Sequence, residues 1–134
     1  MNWVRRRLRG DRGAAIPEFL MVSIMLIFLA MLIMQAILYL YIQSIVVASA
    51  TEGARYAASA DAAPEEGARV ASERIEAGTS GSVAREIRCE GTEQPGEAGA
   101  TLIQVRCAGD LPLFFVPLGD ALPINVRAHA SKEG

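Results

Sequence analysis

The chain has 134 residues, room for one membrane span and one small folded domain but not for two domains. Its formal net charge of -2 conceals an asymmetry: Arg5, Arg6, Arg7, Arg9 and Arg12 crowd the N-terminus, while acidic residues dominate the second half. Arginines that flank an apolar run act as a topology signal rather than as a nucleic-acid site, so the N-terminus is expected in the cytoplasm and the C-terminal part outside it.

Residues 1–13 form a short basic leader. After them comes Gly13-Ala14-Ala15-Ile16-Pro17-Glu18-Phe19, and then an apolar stretch with no charged side chain from Phe19 to Thr51. An ordinary secretory signal has a shorter apolar region, so this one is read as a membrane helix. The uncharged stretch exceeds the ~20 residues that cross a bilayer. The span is therefore placed at about residues 19–39, ending where Tyr39 and Tyr41 suit the headgroup level.

Pro17 fits this start. Within a helix its ring would clash with the carbonyl of Gly13, a conflict that a helix beginning at Ala14 avoids. A chain left uncut, with Pro17 simply opening the membrane helix, satisfies the same rule. Glu18 sits at the inner edge of the apolar run. A carboxylate at that depth has either a partner or access to headgroup water.

One long helix over residues 14–60 is expected to continue past the span into an exported extension. In that extension Ile42, Ile45, Val46, Ser49, Gly53, Tyr56, Ala57 and Ala60 recur at helical spacing. This stripe needs cover from a folded domain or from neighbouring subunits. Its small residues, among them Ala48, Ser49, Ala54 and Ala58, allow close helix approach.

The Gly13-to-Phe19 heptapeptide resembles the processing site of type IV prepilins. The later Glu52-Gly53-Ala54-Arg55-Tyr56-Ala57-Ala58 is similar to a segment of TadE-like proteins, minor pseudopilins of the tight-adherence (Flp) pilus system. Pro17 stands where that family's pattern has valine. The resemblance implies bacterial cell adhesion machinery, with cleavage between Gly13 and Ala14 by a prepilin peptidase. It also implies a Glu18 that pairs, beside Phe19, with the freed amine of an adjacent subunit. The implied partners are other pilin or pseudopilin subunits, the Tad assembly platform and the lipid bilayer of the inner membrane.

Residues 61–134 are expected to form a small exported α+β domain. Asp61-Ala62-Ala63-Pro64 breaks the long helix, and Pro64 with Glu65 and Glu66 opens a short one that Gly78 stops. Three strand-like runs follow, at 83–90, 101–107 and 123–131, with a turn at 93–97 between the first two. Cys89 and Cys107 fall on the apolar faces of their runs, and in an oxidising compartment a disulfide between them is expected. Two cysteines and the lone His129 are too few ligands for a metal site. Phe114 and Phe115, set between Pro112 and Pro117, either cap the sheet or form a partner patch.

Nothing in this pattern supplies a nucleophile with its base, a carboxylate pair or a phosphate loop. No enzymatic activity, cofactor, nucleic acid or small-molecule substrate is expected. Two functions remain: a minor pilin trimmed after Gly13 that takes part in pilus assembly, in or under the fibre, and an untrimmed single-span anchor whose exported domain binds something else.

Overall fold

A computed structural model describes residues 15–113 and 121–132. The leader, Gly13, Ala14, Phe114 and Phe115 lie outside the described residues. Helix α1 spans Ala15–Ser59, helix α2 Pro64–Gly78 and the short helix α3 Gly81–Glu86. Strands β1 (Ile87–Pro95), β2 (Thr101–Leu111) and β3 (Leu122–Lys132) form an antiparallel sheet in the order β1-β2-β3. This is the expected α+β class.

Helix α1 has 45 residues and at 1.5 Å each measures ~68 Å. Two environments divide it. The large apolar residues between positions 16 and 34 are exposed, with Phe19 at 71 % and Met21 at 74 %. Further along, Ile42, Val46, Ser49, Ala50, Gly53, Ala54 and Ala57 are buried. The chain's own domain supplies the cover that the apolar stripe demands. Tyr56 and Ala60, expected in that stripe, are exposed instead. The buried face turns onto Ala54 and Ala58, whose single methyls admit a closer approach than a tyrosine ring.

Helices α1 and α2 lie side by side on one face of the sheet, α1 over β3 and β2, α2 over β1 and β2. Alternation along the strands sends Val105, Cys107, Ile124, Val126 and Ala128 into this layer, where they join Ala71 and Ile75 of α2, while Ile103 packs with Ala57 and Ala58 of α1. The opposite sheet face is polar, yet Gln104 on that face is buried and accepts a hydrogen bond from the Gln94 side-chain amide. Its place on the central strand, flanked on both sides, hides it from water.

Cys89 stands directly opposite Cys107 in the β1–β2 register, and the two are disulfide-bonded. Two local expectations need correction. The run at 83–90 becomes strand only from Ile87, because Ser82-Val83-Ala84-Arg85-Glu86 holds a single β-branched residue among helix formers and closes a short helix. Val83 still reaches the core. The turn expected at 93–97 begins later, since Glu93, Gln94 and Pro95 pair with Ile103, Leu102 and Thr101. The chain reverses through Glu97–Gly99, where Ala98 and Gly99 take left-handed φ values of 56° and 81°.

Strand β3 runs alongside α1 in the same direction. At one end the Tyr39 hydroxyl donates to the Pro123 carbonyl at 3.1 Å. At the other, Lys132 Nζ lies 2.7 Å from Asp61 Oδ1 and 3.6 Å from Glu93 Oε1. The lysine holds the Asp61 carboxyl below its ordinary pKa through a hydrogen bond and its charge, and the Lys132 ammonium is raised in turn. Between these anchors the helix rises ~33 Å and the strand ~30 Å, so the two keep step.

Candidate assembly helix

Of the residues singled out in the sequence, those of the motifs at 13–19 and 52–56 lie on or before α1, and the helix sorts them by height. At its start, Pro17 and Glu18 occupy the first turn. Proline is tolerated there because the first backbone N–H groups of a helix have no internal acceptor, and a carboxylate is favoured by the positive end of the helix dipole. Glu18 is exposed, flanked by exposed Ile16 and Phe19, and makes no ion pair among the described residues. One helix among the described residues is long and apolar enough to cross a membrane, and this is it.

Residues 52–56, in the last fifth of the helix, divide between two tasks. Gly53 and Ala54 are buried and Arg55 and Tyr56 exposed, while Glu52 forms an ion pair with Arg74 of α2. At the crossing of α1 and α2, Gly53 faces Gly67. A Cβ on either would overlap the carbonyl oxygen of the other, so the two backbones touch with no side chain between them.

Gly67 and Arg74 complete this junction, and neither was marked as functional from the sequence. Gly67 did carry a signal. A glycine inside a helix costs about 1 kcal/mol relative to alanine, which calls for a packing reason. Arg74 gave no comparable sign, since its acidic partner lies 22 residues earlier.

Arg55 and Ser59 face His129 and Ser131 of β3 across an open groove of about 690 Å³. His129 is exposed, and among the described residues no carboxylate lines the groove. Among the described residues no group of His, Cys, Asp and Glu side chains is placed to hold a metal ion. The arrangement is that of a packing element: an uncovered apolar rod at one end, and at the other a helix locked to its domain by a glycine contact, an ion pair and a shared core.

No curated protein and no solved structure matches the chain. Residues 13–55, from the glycine of the prepilin-like motif through Glu18 to the locked junction at Gly53, match the family model described as TadE-like protein, so the segment that carries these features is TadE-like.

Proposed function

We propose that this chain is a minor pilin or pseudopilin of a Flp/Tad-type pilus, a single-pass membrane protein trimmed by a prepilin peptidase between Gly13 and Ala14. The observation that carries this reading is where the family match begins: at Gly13, the residue after which the cut falls, five positions before the Glu18 carboxylate. The exposed apolar half of α1 supports it, because such a surface requires lipid or other helices around it.

In this reading the arginine-rich leader stays on the cytoplasmic side of the inner membrane and the disulfide-bonded domain outside. The helix waits in the bilayer. Trimming frees an amine at Ala14, and Glu18 pairs with the corresponding amine of a neighbouring subunit as the helix enters the assembly. The chain's role is structural rather than enzymatic, and its partners are the peptidase, other pilin-type subunits and the Tad platform.

The test is mass spectrometry of the N-terminus of the protein purified from its native membrane. A mature chain beginning at Ala14 is expected. An intact Met1 in cells with an active prepilin peptidase overturns the proposal and leaves an untrimmed anchor. Glu18→Ala is expected to insert and be trimmed normally but to lose assembly, read as the subunit's absence from sheared pili or from co-purified pilin complexes.

A further inference from the structure

The two broad surfaces of the exported domain carry opposite charge, and their ion pairing is unequal. On the helix side, Arg69 bonds Glu66 and Glu73, and Arg74 bonds Glu52. Four glutamates, Glu65, Glu66, Glu73 and Glu76, stand exposed on α2 against Arg69, so this face stays negative after its internal pairs are made. The uncovered face of the sheet is the reverse. Register places Glu90, Arg106 and Arg127 side by side on one rung, with Arg88 on the next beside Ala108 and Asn125.

Arg88, Arg106 and Arg127 are exposed, and none forms an ion pair among the described residues. Among the described residues the Arg106 side chain donates only to the Asn125 side-chain oxygen, at 3.3 Å. Like charges directly opposite on neighbouring strands are unfavourable. Arg106 against Arg127 is such a pair. Glu90 shares a rung with Arg106 and Arg127, and Asp110 lies one rung beyond Arg88, so three arginines on this face stand against two carboxylates. A carboxylate-bearing surface laid over this face would relieve the repulsion.

We propose that the uncovered sheet face of one copy docks on the exposed α2 face of a second copy. The proposal rests on the membrane-anchored, assembling role set out above and names a partner for it. The two surfaces lie on opposite sides of the domain, so the contact is not self-complementary and repeats from copy to copy without closing as a twofold pair would. The geometry of a shared membrane permits it. Strand β3 runs along α1, which turns both faces sideways from the helix axis, and copies with parallel helices in one bilayer can meet there without tilting.

The experiment uses the full chain in two tagged forms, reconstituted together in liposomes of neutral lipid and captured through one tag. One form carries Arg106→Glu and Arg127→Glu; the other carries Glu66→Lys and Glu73→Lys. Wild-type copies are expected to co-capture each other, copies that all carry the reversed sheet at least tenfold less, and the two variant forms mixed together to recover capture. A chain bearing all four substitutions is expected to capture itself and not the wild type. In addition, a copy with Arg127→Cys and a copy with Glu73→Cys should cross-link when mixed and not when either is alone.

Undiminished capture by the sheet variant, or failure of the fourfold variant to recover self-capture, overturns the proposal. Recovery in the fourfold variant also shows that the substituted chains fold. None of these positions is near Gly13, so trimming scored in cells expressing the same variants is expected to stay intact whichever way the capture falls, and failure of the docking is thereby separated from failure of the pilin reading.

Discussion

Gly53 occupies a position where a larger residue would ordinarily help. In an exposed helix, Gly→Ala gains about 1 kcal/mol. Here the added methyl meets the Gly67 carbonyl, part of a backbone that cannot rotate aside. Overpacking of this kind costs about 1–3 kcal/mol, so the penalty outweighs the gain. Gly53→Ala is expected to lower the melting temperature of the full chain in detergent, read by near-ultraviolet circular dichroism, and Gly67→Ala to do the same. A rise in melting temperature for either would mean that the helices can separate freely at this point. The requirement for glycine at position 53 was partly legible in the sequence, where it belongs to a small-residue stripe. Its partner was not, because contact between two glycines leaves no trace in apolar periodicity.

Among the elements, α1 and α2 were the easiest to foresee, α1 because charge is absent for so long and α2 because Pro64 and Gly78 mark both its ends. The strands were legible in their alternation and blurred at their limits. Val83 reads as the first residue of a strand, yet the residues after it favour a helical turn and the core accepts valine from either geometry. Pro95 and Gly96 together signal a turn, but Pro95 pairs as the last residue of β1, an edge strand, where a missing N–H is tolerated. The disulfide was foreseeable from the faces of Cys89 and Cys107. It ties the edge strand β1 to the centre of the sheet across 18 positions of sequence. In the chain-entropy account a bridge of this span contributes about 3 kcal/mol. Replacing both cysteines by alanine is expected to lower the unfolding free energy of the domain by about that amount, read as a fall in the urea midpoint, while leaving the helical signal of the apolar half of α1 in place. An unchanged midpoint would mean that β1 is held by its ladder and by α2 alone.

At the scale of the molecule, half of one helix is left uncovered and the other half is built into a domain, and a single chain cannot satisfy both halves. The uncovered half needs lipid or companions. The domain shows two faces of unlike charge. The division between these halves was visible in the sequence at Tyr39 and Tyr41, where the span is placed to end and the stripe from Ile42 begins. What the sequence hid was the direction of the sheet, since pairing partners far apart in the chain decide it.

That direction has a mechanical meaning. Because β3 lies along α1 from Tyr39 to Asp61, a force drawn along the helix loads the seam between helix and sheet in shear, with the buried contacts from Ile42 to Ala58 resisting together. A force applied across the seam would open the same contacts one after another, like a zip. In a single-molecule pulling experiment, handles placed to draw along α1 are therefore expected to detach the domain at markedly higher force than handles placed to peel the sheet from its side. The fold is therefore strongest along the axis of α1.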